Sequence, residues 1–350
     1  MILRRNVAVL AFVLAVAGCA SAPYVDREYA DPRATGPQAV LLGMELAPDV
    51  EARILALDPE HVSDSDVRTV LAAGPTPHIV GLHGGIYPVH LLMESFARFL
   101  SGMGYPQARL RNPGDGRRSH SPYESSVQIA GLVAWYYEHD AMMPMMIGHS
   151  QGGIQLVKVL HDLAGNNEPE IHVWDPVADA AEDRVSIVDP FTGAERPVVG
   201  LKIGYASVVG SGGSALLLPN QWSMVSRLKS IPDSVEEFTG YSIAVDFIAW
   251  NLPGFGTKYK ANGSATVRHV ELPSSYSHVF VVAASHLAHD PVMREWINAY
   301  VPGRAVELPP DAESTESSLW AADVWYSIKK HWVVEAQKVV RARLAMASAK

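Results

Sequence analysis

Apolar residues recur along the chain in two alternating rhythms. Around residues 47–73, Val50, Ile54, Leu55, Val67, Val70 and Leu71 keep a helical spacing. "HIVGL" (78–82) is a short apolar run that breaks at glycines and predicts a buried strand. Leu92, Phe96, Phe99 and Met103 then fall at steps of four, three and four, which is one face of a helix. "QARLRNP" predicts a short strand, and "SSVQIAGLVAWYYEHDAM" a helix capped by Ser125 or Ser126. "PMMIGHS" predicts the next strand and "QGGIQLVKVLHDLAG" the next helix, with Gly165 as its C-cap. Strands alternating with helices through 75–165 predict an α/β fold, a mostly parallel sheet with helices on its faces.

Downstream the rhythm changes. Residues 166–200 are rich in Asp, Pro and Gly and predict a strand-and-turn insertion after that helix. "VVGLKIGYASVV" resumes as a strand, and "LPNQWSMVSRLKSI" predicts a helix. "GYSIAV", "TVRHVEL" and "HVFVVA" are further strand candidates. "DPVMREWINAY" predicts a helix with Asp290 as N-cap and Pro291 in its first position. After "LPPDAESTESS", residues 318–346 predict a long helix carrying Trp320, Trp325 and Trp332, expected to pack on the domain, with rest at a membrane interface as the alternative.

The first residues follow neither rhythm. Arg4 and Arg5 precede the apolar run "VAVLAFVLAVA", the pattern of a secretory signal. It ends in Leu14-Ala15-Val16-Ala17-Gly18-Cys19, and Cys19 is the only cysteine of the chain. That stretch resembles the lipobox of bacterial lipoproteins, which implies lipidation at Cys19 and an anchor in the cell envelope. Ala20 after it implies the outer membrane by resemblance to sorted lipoproteins. The expected organisation is a signal peptide at 1–18, a lipidated tether at 19–45, the main domain at 46–310 and a C-terminal helix at 311–350. A single cysteine excludes an intramolecular disulfide. No other segment has the run of about eighteen apolar residues needed to span a bilayer.

Composition narrows the partners. Hydrophobic residues make up 48% and charged residues 19% of the 350, enough for a real core. A net charge of −9 supplies no phosphate-neutralising stripe, so no nucleic-acid partner is expected. Fourteen histidines raise the question of metal, but H-E-x-x-H is absent and no close carboxylate–histidine cluster stands in its place, so neither metal nor other cofactor is expected. Gly210–Gly213 lacks the Lys-Ser/Thr of a phosphate loop.

The chemistry gathers at Gly148-His149-Ser150-Gln151-Gly152-Gly153, which fits G-x-S-x-G between a strand and a helix. A serine hydroxyl is a poor nucleophile unless a base takes its proton. A sharp strand-to-helix turn lifts it toward such a base, and small flanking residues let strand and helix close. With His83-Gly84-Gly85 ending the earlier strand, the chain resembles the α/β-hydrolase fold, especially bacterial lipases and esterases, over roughly residues 75–303. The resemblance implies a serine hydrolase acting on a carboxylic ester through an acyl-enzyme, with a thioesterase, amidase or non-catalytic binding scaffold as alternatives. It implies oxyanion donors at Gln151 and at Gly85 or Gly84.

The family's order of serine, acid and histidine directs attention downstream. Asp246 in "GYSIAVDFIAW" resembles the acid-bearing pattern of related lipases. Two histidines compete for the base. His286 in "AASHLAHDPV" resembles a lipase ending and is the favoured one, while His278 has the more usual spacing from Asp246. His149 is expected to pack beneath the turn.

Overall fold

Apolar runs bounded by turn residues become strands wherever both faces can be covered. A computed structural model describes residues 39–167, 170–251, 258–304 and 316–348; the expected signal segment, Cys19 and the expected tether up to residue 38 lie outside the described residues. The central strands are β1 (Ile79–Leu82), β2 (Met145–His149), β3 (Ile203–Val209), β4 (Val235–Ile243) and β5 (Thr266–Leu272). They lie side by side in chain order, and each pairs in parallel with the next. Parallel neighbours need crossovers, so all five carboxyl ends meet one edge of the sheet. Side chains of β1, β2 and β3 are buried throughout, as expected where helices cover both faces.

The helices are α1 (Ala39–Gly43), α2 (Pro48–Ala56), α3 (Asp64–Thr69), α4 (Tyr87–Met103), α5 (Ser126–Asp140), α6 (Gln151–Leu163), α7 (Pro291–Ala299) and α8 (Ser318–Ser348). Successive strand residues point to opposite faces. Met145, Ile147, Tyr205, Val209 and Tyr241 therefore share one core with Phe96 and Phe99 of α4 and with Trp320 and Trp325 of α8. Met146, Ala206, Val208 and Phe238 share the other with Ile129 and Val133 of α5 and Ile154 and Val157 of α6.

The long last helix belongs to this core. Trp320, Trp325 and Trp332 are fully buried. Trp325 Nε1 donates to Asn298 Oδ1 (3.0 Å) and Trp332 Nε1 to the Pro75 carbonyl (3.0 Å), which satisfies the polar ends of those two indoles, while the buried Nε1 of Trp320 meets no acceptor among the described residues. The expected boundary at 310/311 thus separates segments that pack as one body. Packing also begins inside the expected tether, since Leu41 of α1 is fully buried against Met142 and Val339. No helix among the described residues is long and apolar enough to cross a membrane.

Three predicted elements take another form. "QARLRNP" contains a 3-10 turn at Gln107–Leu110, because Pro106 and Pro113 cannot donate to a ladder. "LPNQWSMVSRLKSI" forms a 3-10 turn at Pro219–Met224. "HVFVVA" forms another at Phe280–Val282, where Val281 and Val282 enter the core as a turn and extend no strand. The insertion at 166–200 folds as two small hairpins, Trp174–Asp175 with Ala180–Ala181 and Ser186–Val188 with Glu195–Pro197.

Candidate active site

β2 runs out at His149, and the next residue turns the chain sharply into α6. Ser150 adopts φ 54° and ψ −124°, a region that costs a non-glycine residue about 1–3 kcal/mol. Its N–H donates to the Val209 carbonyl (2.8 Å), and its carbonyl accepts from Gly153 N (3.0 Å) and Ile154 N (3.3 Å). The glycines answer to space. A Cβ on Gly148 would stand 2.6 Å from Gly153 Cα, and one on Gly152 would stand 2.4 Å from the carbonyl oxygens of both Leu82 and His83. These contacts are with backbone, which cannot yield, so only glycine lets β1, β2 and α6 meet behind the serine.

The partly exposed hydroxyl of Ser150 meets a histidine. His278 Nε2 lies 3.0 Å from Ser150 Oγ, and His278 Nδ1 lies 2.7 Å from Asp246 Oδ2. Asp246 stands just past β4 and is 4% exposed. Its other oxygen accepts the N–H groups of Ile248 (3.0 Å) and Ala249 (2.9 Å), and paired backbone bonds between Asp246 and Asn251 (2.8 Å each) lock the loop. Burial pushes the Asp246 carboxyl upward, but the hydrogen bonds from His278, Ala249 and Ile248 outweigh it and hold the group below its usual value. An ionised Asp246 accepts a hydrogen bond from the Nδ1–H of His278, leaving Nε2 unprotonated to accept from the serine hydroxyl.

The favoured histidine is corrected here. His286 sits exposed on a 3-10 turn, Ser285–Ala288, whose Ser285 bonds to Ser95 of α4. The apolar run before it is a turn, so His286 does not follow a strand's carboxyl end. The strand is β5, and the imidazole that follows it is His278.

Gly84 and Gly85 follow β1 at the same edge. A Cβ on Gly84 would stand 3.2 Å from Ser150 Cβ, whereas one on Gly85 would meet the Gln151 carboxamide oxygen at 2.0 Å. Gly84 is thus the nearer to the serine. Gln151 opens α6, so its N–H has no intrahelical acceptor. Among the described residues the N–H groups of Gln151, Gly84 and Gly85 donate to no protein acceptor. The corner between β1 and α6 therefore holds backbone donors beside the nucleophile, the arrangement that stabilises an oxyanion.

Two residues support the histidine in ways that no local pattern reports. Gly210 has φ +64°, and a Cβ there would stand 3.0 Å from His278 Cε1 and 3.1 Å from Nδ1. Its only signal in the sequence is a glycine directly after a strand. His149 packs under the turn as expected, but it also donates from Nε2 to the His278 carbonyl (2.7 Å). Burial, with the nearby His278, pushes the His149 ring down to about 3, so it acts as a neutral donor.

Of the fourteen most exposed large hydrophobic side chains among the described residues, ten lie on segments leaving the carboxyl edge of the sheet: Ile86, Leu91, Tyr123, Leu217, Trp222, Val225, Phe247, Ile248, Trp250 and Phe280. Among the described residues no three His, Cys, Asp or Glu side chains are grouped to hold a metal ion. No protein-family model matches the chain, and no curated protein matches its sequence.

Proposed function

We propose that the chain is a serine hydrolase of the α/β-hydrolase type that cleaves carboxylic esters through an acyl-enzyme. The observation that carries this reading is the continuous line from Ser150 Oγ through His278 to Asp246, at 3.0 and 2.7 Å. The hydrolase assignment is supported by the chain order serine, acid, histidine, each just beyond the carboxyl end of a parallel strand, with the His83-Gly84-Gly85 turn beside them.

Ser150 Oγ attacks the ester carbonyl while His278 Nε2 takes its proton. Asp246 fixes the tautomer and stabilises the imidazolium. The N–H of Gln151 and that of Gly84 or Gly85 receive the negative oxygen of the tetrahedral intermediate, and each such donor contributes about 2.7–4 kcal/mol to lowering the barrier. His278 returns the proton to the departing alcohol, and water activated by the same imidazole then releases the acid. The apolar rim supports an ester with an apolar acyl or alcohol group. The N-terminal pattern supports a lipid anchor at Cys19 in a bacterial envelope, with the outer membrane favoured by Ala20.

A p-nitrophenyl ester series from acetate to octanoate tests the reading. It expects hydrolysis that disappears in Ser150→Ala, with kcat/KM rising as the acyl chain lengthens. Equal turnover by Ser150→Ala would assign the chemistry elsewhere, and no turnover by folded wild-type protein would favour a binding scaffold.

A further inference from the structure

At the opposite edge of the sheet from Ser150 lies a cavity of about 550 Å³, within the range of small-molecule sites. Met143 and Lys202, the residues leading into β2 and β3, place it at the strands' amino ends. Its apolar wall includes Phe191, Leu201 and Met143. Four cations also line it, Arg196, Lys202, Lys338 and Arg341, against one acid, Glu335. That balance runs against the net charge of −9 of the whole chain.

The ion pairs show which charges remain free. Glu335 accepts from Lys338 Nζ (2.6 Å) and from the Met143 N–H (2.8 Å). Burial holds its carboxyl above the ordinary range. Arg196 is paired with Asp189 at 3.6 Å. Lys202 and Arg341 are exposed, and neither has a carboxylate within ion-pair distance among the described residues. Arg341 bonds only to the Gln337 carboxamide (3.0 Å). Asp233 feels the charge of Lys202 from beyond ion-pair distance, so both cations keep their hydrogen-bonding ends open. Two such cations beside an apolar wall suit a ligand with a charge at one end and a hydrocarbon body at the other.

We propose that this cavity binds a small amphiphilic anion, a carboxylate or phosphate monoester on an apolar body, with Lys202 and Arg341 meeting the anion and Phe191 and Leu201 the body. The site is separate from the Ser150 edge and does not depend on the hydrolase reading.

The test is calorimetric titration of the full-length Ser150→Ala chain, in nonionic detergent, with hexanoate, hexyl phosphate, hexanol and inorganic phosphate. The proposal expects saturable binding of hexanoate or hexyl phosphate, the stronger of the two identifying the head group. Hexanol and inorganic phosphate are expected to bind at least tenfold more weakly. Lys202→Glu with Arg341→Glu, both at exposed positions, is expected to weaken the anion at least tenfold, and Phe191→Ala to weaken the hexyl compounds while leaving inorganic phosphate unaffected. Binding of neither hexyl anion would overturn the site, as would anion binding undiminished in the Lys202/Arg341 double variant. Inorganic phosphate binding as tightly as hexyl phosphate would overturn the amphiphile. Ester hydrolysis by the double variant in an otherwise wild-type chain is expected to be unchanged.

Discussion

Two aspartates on this sheet sit at the centre of hydrogen-bonded clusters, and they differ in where the bonding stops. Asp323 of α8 accepts from Arg268 (2.6 and 3.1 Å), from the Tyr300 hydroxyl (2.9 Å) and from the Tyr241 hydroxyl. Every partner is a donor from the same fold, and one is a guanidinium that neutralises the acid. Asp246 accepts from two loop N–H groups and from His278, and the line then runs on to a hydroxyl that is partly exposed. The first cluster closes on itself and fastens a helix to the sheet. The second ends in a polarised group held on strained backbone at an open edge. An acid alone does not point to reactivity; the proposal rests on a chain of hydrogen bonds that ends in an unfinished donor.

Substitutions should separate the two clusters. Ser150→Ala is expected to lower kcat on a p-nitrophenyl ester by about 10⁶-fold, the scale for losing a triad nucleophile, with the melting temperature held, since alanine keeps the Cβ and with it the same backbone strain. Asp246→Asn removes the charge but keeps the shape, and should lower kcat by about 10⁴-fold through the wrong imidazole tautomer. Asp323→Ala should show the converse in chemical denaturation, a loss of about 3–5 kcal/mol from a broken buried ion pair, with kcat of the folded fraction preserved. Activity lost from the folded fraction of Asp323→Ala, or stability lost in Asp246→Asn without loss of activity, would reverse the assignment.

The smallest effect concerns pH. Burial raises Glu237 of β4, but His331 and Lys330 of α8 outweigh it and hold the carboxyl at about 2. A folded-state value below the unfolded one gives stability that is fully present above the ordinary glutamate value and lost as pH falls through about 2. The loss is at most about 3 kcal/mol, at 1.36 kcal/mol per unit. Thermal melts of wild type and Glu237→Gln should therefore converge as pH falls below about 4.5, the ordinary glutamate value. A constant gap between them would remove Glu237 from the clamp on α8.

The strand leading to Ser150 was legible because its pattern is local. Gly148, Ser150 and Gly152 must be neighbours in sequence to make the turn, and the alternation around them has the period of a parallel sheet. The proposed base was harder to read, because "HVFVVA" carries valines and a phenylalanine that suit a strand or a buried turn equally. Tertiary packing decided for the turn, and the histidine at a strand's end became His278 in place of His286. The support from Gly210 was hidden for a similar reason. Its need for space comes from an imidazole 68 residues later in the chain, which no local pattern records. The C-terminal helix was legible in extent, but its Arg268–Asp323 clamp pairs residues too far apart for periodicity to report.

The central claim is that Ser150 is activated by His278, and labelling with a fluorophosphonate followed by peptide mass spectrometry tests it most directly. The account predicts a single phosphonylated residue, Ser150, in wild type and in His286→Ala, and no label at that residue in His278→Ala. Folded wild-type protein that stays unlabelled, or labelling that survives in His278→Ala and vanishes in His286→Ala, would contradict it.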